Sequence, residues 1–293
     1  MLKSNLNKNW AALVLAALAA GAAGARAAET HVSRMRWLMG TFCQIEAWGP
    51  APDAAVSAAF DEIDRWDRIL SLYKKESELN ALNESAGRGP FRASAGLYAA
   101  TEAALKLAEK TGGAFDPTIL PAIRGGEKAL PLVGWSKVRL DPASRTIELP
   151  KAGMALDFGG IGKGWALDLA ARLMTEAGAT RVFMNFGGQI LAIGMPENGD
   201  SWSVVVPGLS KPLRVRDESV STSGDEQRPG HIVSPFDGRP VRRALNATAV
   251  LPSATEADAW STALYVLGKT PPAFQGRSFF AAVPSSSIKG TPR

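Results

Sequence analysis

Between Arg181 and Val220 the chain passes through four short strand-like stretches with no helix between them: Arg181 to Phe186, Ile190 to Ile193, Ser201 to Val206 and one near Val220. Glycine, proline or polar turns separate them. Strands that follow one another through tight turns pair antiparallel, because a parallel pair needs a long crossover. An alternating stretch from Thr41 to Trp48 adds a strand, and Lys137 to Leu140 with Thr146 to Leu149 reads as a hairpin around Asp-Pro-Ala-Ser. The pattern predicts an α+β fold with largely antiparallel sheets flanked by helices, and disfavours a doubly wound parallel sheet.

Four helices complete the expectation. Ala55, Val56, Ala59, Phe60, Ile63, Trp66, Ile69 and Leu70 recur at helical spacing after a start at Pro50 to Asp53. Ser94 is placed to cap a second helix ending near Thr111, before Gly112-Gly113. A third follows the segment DFGGIGKG, Asp157 to Gly164, and stops at Gly178. The fourth covers about Glu256 to Leu267 and contains ADAWSTAL, Ala257 to Leu264.

The last two helices carry the chemistry. Gly159, Gly160, Gly162 and Gly164 clear side chains from the backbone, and the positive end of the following helix points at them, as an anion site requires. The spacing matches neither the Walker pattern nor the dinucleotide fingerprint, and a glycine turn that lets a strand cross a helix closely would look the same. Asp258 and Thr262 are four residues apart. On a helix their oxygens share a face, and both are hard ligands suited to magnesium or calcium, with a carbonyl of the glycine turn to complete the set. Alone, Asp258 also suits a first-turn acid. His231, in HIVSPFDGRPV, is positioned either to accept a proton or bind phosphate, or simply to shape a loop. Tyr73 in SLYKKESELNALN and Met39 in LMGT suit a planar ring or a core. Asn185 to Gly188 reads as a tight turn.

Composition limits the rest. At 46% apolar and 21% charged, a chain of 293 residues is of ordinary globular make-up. Lys3 and Lys8 precede an apolar run from Trp10 to Ala20, and Ala25-Arg26-Ala27 has the small-residue pattern of a cleavage site. The run is shorter than the ~20 residues that span a bilayer. The expectation is a cleaved export signal over 1–27, a single domain over 28–293, and a periplasmic location. Without Lys3, Lys8 and Arg26, 30 basic residues stand against 28 acidic, a net of +2 that argues against nucleic acid as a partner. The one cysteine, Cys43, lies beyond the expected cut and is not placed to carry a lipid anchor.

MGT at Met39, SLY with SELNALN, GGAFDPT at Gly112, DFGGIGKG, NFGGQI, STSGD, HIVSPFDGRPV and ADAWSTALYVLG occur in this order over nearly the whole chain after the signal. Together they resemble the ApbE family, the FAD:protein FMN transferases. The resemblance implies a magnesium-dependent transfer of the FMN half of FAD to a threonine in the flavinylation motif of an acceptor redox protein, through a phosphoester, with AMP leaving. It assigns Mg2+ to the carbonyl of Gly160 and the side chains of Asp258 and Thr262. It assigns FAD to Met39, Tyr73, Ala114, Phe115, Asp116, Asp157, Lys163 and Ile232, with His231 beside the diphosphate. His231 or Asp225 is the expected proton acceptor.

Hydrolysis of FAD to FMN and AMP at the same site, and flavin binding without turnover, are the alternatives. The chain departs from the family pattern at Gly162, where a small side chain is common, at Gln189, and after Gly268, where Pro271-Pro272 interrupts the expected helix. Gly178-Ala179-Thr180 spells the end of an acceptor motif, but it closes a helix and lacks the preceding Ser or Thr, and reads as coincidence.

Overall fold

The computed structural model describes residues 29–225 and 228–282, so the expected export signal lies outside the described residues. Among the described residues twelve strands occur in the order β1 Thr30–Leu38, β2 Thr41–Gly49, β3 Phe91–Arg92, β4 Arg139–Asp141, β5 Thr146–Glu148, β6 Arg181–Phe186, β7 Gln189–Ile193, β8 Trp202–Val204, β9 Leu213–Val215, β10 Glu218–Ser223, β11 Leu245–Leu251 and β12 Arg277–Ala282. The α-helices are α1 Pro52–Leu70, α2 Glu78–Glu84, α3 Ala95–Lys110, α4 Leu120–Gly125, α5 Gly162–Glu176 and α6 Ala254–Leu267.

Seven strands form the main sheet in the order β1-β2-β6-β7-β10-β11-β12, with smaller sheets β3-β5-β4 and β8-β9. Every pairing is antiparallel, as the consecutive strands require. Alternation along β6 divides the sheet's faces: Val182, Met184 and Phe186 enter the main core, whereas Phe183 packs on the other face beneath β8 and β9. On the core face α1, α5 and α6 lie together, α1 giving Val56, Ala59, Phe60 and Ile63 and α6 giving Ala259, Ala263 and Leu264. Full burial of such side chains contributes about 1.5–3 kcal/mol for each large one.

Ser94 caps α3 as expected, accepting from the Leu97 amide at 3.1 Å. The structure departs from the sequence reading at several places. The third helix begins at Gly162, inside its glycine segment, because the Gly162 amide donates to the Phe158 carbonyl at 2.7 Å and starts the winding early. Ser201–Val206 yields only the three residues of β8. Beyond Gly268, β12 closes the sheet on β11.

Candidate active site

The two informative segments meet. Ser253 caps α6, accepting from the Glu256 amide at 3.2 Å, which fixes where the helix begins. One turn on, Asp258 is 4% exposed and its Oδ2 accepts from the backbone amide of Gly164 at 3.1 Å, while Lys163 Nζ stands 3.4 Å from its Oδ1. The acid of one segment thus rests on the amide end of the helix that the other begins, where the helix dipole favours negative charge. This approach needs a glycine: a Cβ at Gly164 would lie 2.1 Å from the Ala254 carbonyl oxygen.

A bed of hydroxyls surrounds that acid. From β10, Ser221 Oγ reaches Asp258 Oδ1 at 3.4 Å and Ser261 Oγ at 3.1 Å, and Ser223 Oγ reaches Ser261 at 2.9 Å and Thr262 Oγ1 at 3.4 Å. Gly160 lies against the same face, since a Cβ built on it would be 3.1 Å from Thr262 Oγ1 and 3.2 Å from the Phe115 ring. Among the described residues no group of three or more His, Cys, Asp or Glu is placed to hold a metal. The candidate ligand oxygens are the Asp258 carboxylate, the Thr262 hydroxyl and the backbone of the glycine turn, with the hydroxyls of Ser221, Ser223 and Ser261 beside them. That set fits magnesium, which binds through one or two carboxylates, keeps waters and takes phosphate oxygens as ligands.

GGAFDPT forms the floor. Asp116 is buried and its oxygens are taken: Oδ1 accepts from the Thr118 amide at 2.8 Å and its hydroxyl at 2.6 Å, and Oδ2 from the Trp135 amide at 3.1 Å. Burial pushes this carboxyl up against those hydrogen bonds. Its side chain holds the loop that presents Ala114 and Phe115, both buried. Asp157 opens the DFGGIGKG segment, with Oδ1 accepting from the Gly159 amide at 2.6 Å and its own amide donating to the Pro117 carbonyl at 2.7 Å. Its carboxyl is also raised by burial, with the Gly159 amide and the charge of Arg124 opposing.

A cleft of about 450 Å³ adjoins this segment, lined by Tyr73, Asn80, Asn83, Arg124 and Met154 among others. Tyr73 does not pack in a core: it is 87% exposed at the cleft's rim. The SELNALN run explains how it is presented, because Asn80 Nδ2 bonds the carbonyls of Leu72 and Lys74 at 3.3 and 2.9 Å. Asn83 exchanges two bonds with the backbone of Leu156, at 2.7 and 3.0 Å, and so ties α2 to the approach to Asp157.

The remaining expected residues stand on other loops. Met39 and Gly40 form the two-residue turn between β1 and β2, with φ of 46° and 77°. Such turns favour glycine and asparagine, so a methionine there is uncommon. The Gly187-Gly188 turn lies beside it, the Gly187 amide donating to the Phe42 carbonyl at 3.0 Å. Ile232 is buried in the main core and bonds the Val241 amide through its carbonyl at 2.8 Å. His231 is exposed, with Nδ1 2.5 Å from the Arg228 carbonyl. A carbonyl only accepts, so Nδ1 carries a hydrogen, and in the neutral imidazole that leaves Nε2 as the acceptor. Asp225 is more committed, its two oxygens taken by the Gly230 amide and Arg242. Thr180, in the motif-like triplet, bonds Glu29 and the Trp48 carbonyl.

Sequence reasoning missed the serines around Asp258, the Asn83 tie and Asp168. Asp168 follows Gly164 by one helical turn, a spacing that put it on the same face and offered the one available signal.

The ApbE family model matches residues 39–274. The FAD:protein FMN transferase of Treponema pallidum (strain Nichols) is 32% identical over 297 residues, covering 85% of this chain and 82% of that protein. That of Escherichia coli (strain K12) is 29% identical over 285 residues, covering 82% and 81%. Among solved structures, the flavinyl transferase ApbE of Pseudomonas stutzeri superimposes with a TM-score of 0.73 at 23% identity, over 82% of this chain and 85% of that one. The ApbE protein of Thermotoga maritima does so at 0.76 and 24%, over 88% and 99%.

Proposed function

The chain belongs to the ApbE family, and from that premise we propose that it is a magnesium-dependent FAD:protein FMN transferase acting on a threonine of an exported or membrane redox protein. The observation that carries this reading is the convergence of Asp258 on Lys163 and Gly164, 3.4 and 3.1 Å away, with Thr262 against Gly160. The sequence before Glu29 supports export to the periplasm, and the family match from residue 39 to 274 supports one domain after the signal.

In this reaction the threonine oxygen forms a bond to the phosphorus on the FMN side of FAD, and the bond from that phosphorus to the AMP phosphate oxygen breaks. AMP leaves with the electron pair. A diphosphate repels an oxygen nucleophile until its charge is offset, and Lys163 and the amide end of α5 supply part of that offset. Asp258, Thr262 and the Gly160 carbonyl would hold a magnesium ion, which when bound supplies the remaining positive charge against the phosphoryl oxygens. Ser221, Ser223 and Ser261 hold Asp258 and Thr262 in place through the hydroxyl contacts above, as supports behind a metal ligand do. His231 accepts the threonine proton on Nε2, and its exposure lets a protein acceptor reach it. Asp225 is the weaker candidate because Gly230 and Arg242 already engage it. Tyr73 and the cleft beside it would receive part of FAD, with Phe115 and Asp157 along the way.

Incubated with FAD, Mg2+ and a peptide carrying a flavinylation motif, the protein is expected to yield a peptide heavier by one FMN, and AMP. Asp258→Ala should abolish both. Free FMN released at equal rates with and without the peptide would establish hydrolysis instead, and FAD that stays bound and whole would establish a carrier.

A further inference from the structure

We propose that Asp168 is a positioning residue of this site: its carboxylate fixes the register of α6 against α5 and thereby sets Asp258 on Lys163 and Gly164. The proposal rests on the metal-site reading above. Asp168 Oδ1 accepts from the Ala254 amide at 2.8 Å. Its Oδ2 accepts from Ser253 Oγ at 2.7 Å, the Thr255 amide at 2.9 Å and Thr255 Oγ1 at 2.6 Å. One carboxylate thus takes four donors from the first residues of a helix on another part of the chain.

The geometry is reciprocal. Asp258 of α6 sits on the opening amides of α5, and Asp168 of α5 sits on the opening amides of α6. Gly164 and Asp168 are one turn apart on α5, as Ala254 and Asp258 are on α6, so the two contacts are successive rungs between the same helix faces. Between the rungs the backbones touch, because Gly164 has no Cβ to meet the Ala254 carbonyl. A cap on a remote helix would stabilise only that helix. Here the capped turn is the one before the metal-ligating acid, so a slip at Asp168 is carried directly to Asp258.

The far end of α6 supplies an internal control. Arg243 holds it there, donating from Nε to the Tyr265 carbonyl at 2.7 Å and from Nη2 to the Val266 carbonyl at 2.8 Å. Asp168→Asn turns one acceptor into a donor facing donors. Arg243→Gln loosens the opposite end of the same helix. Both are expected to lower Tm.

Mg2+ titrated by calorimetry into each protein with FAD and no acceptor separates positioning from plain stabilisation. Asp168→Asn is expected to raise the Mg2+ half-saturation about tenfold, the lower range for removing a ligand's support, with Arg243→Gln within about twofold of the unchanged protein. Asp168→Glu, which keeps the charge, should recover part of the loss. Equal shifts for Asp168→Asn and Arg243→Gln, or no shift for Asp168→Asn, overturn the proposal. If Asp168→Asn does not fold, Ser253→Ala, which removes one of the four donors, is expected to shift the half-saturation less but in the same direction, and no shift overturns the proposal. Asp258→Ala in the same titration isolates the underlying reading: unchanged Mg2+ binding there overturns that reading and the proposal together. Loss of binding there without loss in Asp168→Asn overturns the proposal alone.

Discussion

Around Asp258 the chain is held from every side, whereas around Tyr73 and His231 it is open. Asp258 is 4% exposed and receives Lys163, Gly164 and Ser221, and its helix is pinned by Asp168 and Arg243. Tyr73 is 87% exposed, and His231 is exposed and, among the described residues, makes a single side-chain hydrogen bond, to a loop carbonyl. Under the function proposed above, the difference follows from what each region would do. Charge is stabilised best by groups that need no rearrangement when it develops, so a phosphate site at Asp258, as proposed, would be fixed by folding itself. On the proposed reaction a dinucleotide and an acceptor hydroxyl would both enter from outside, and surface loops on a rigid frame suit that.

The contrast breaks first at its fixed end. Asp258→Ala should reduce FMN transfer by about 10³-fold or more, the scale of losing a preorganised electrostatic group, read by the mass of the acceptor peptide and by released AMP. A residual rate within tenfold would mean that the acid is only a cap. His231→Ala is expected to lower kcat by about 10²-fold while Tm stays put, since an exposed side chain with one hydrogen bond contributes little to folding. A fall in Tm with kcat intact would return the histidine to a loop-shaping role.

The two glycines flanking Lys163 sharpen the comparison on a smaller scale. Gly164→Ala places a methyl where a carbonyl already lies 2.1 Å away. It should cost about 1–3 kcal/mol in urea unfolding, as overpacking does, and weaken transfer with it. Gly162→Ala meets only the Phe158 Cβ at 3.8 Å. At the first position of a helix it should stabilise by roughly 0.4–1 kcal/mol and leave transfer unchanged. Equal effects from the two substitutions would contradict the close crossing of α5 and α6.

Much of the frame was legible because its signals are periodic or local. The apolar spacing of α1, the cap at Ser94 that starts α3 and the glycine turns at 187 and 188 lie within a few residues of what they determine. So does the pairing of Asp258 with Thr262, which needs only the helical repeat. The contacts of Asp168 and Ser221 were not legible, because their partners lie 85–87 and 37–40 residues away and aspartate and serine have uses everywhere. β11 and β12 escaped for another reason. Leu245–Leu251 is buried nearly throughout, so its side chains show no alternation, and β12 follows a proline pair that reads as a loop. For Tyr73 the sequence left a ring contact and a core position open; the structure rules out the core, and the turn that turns it outward is built by Asn80 from the next helix.

Crystals of the protein with FAD and Mn2+ in place of magnesium, measured at a wavelength where manganese scatters anomalously, test the convergence of the two segments most directly. The expected result is one anomalous peak in contact with the side chains of Asp258 and Thr262, the Gly160 carbonyl and a phosphate oxygen of FAD. A peak bound elsewhere, or FAD bound with its diphosphate away from Lys163 and Asp258, would contradict it.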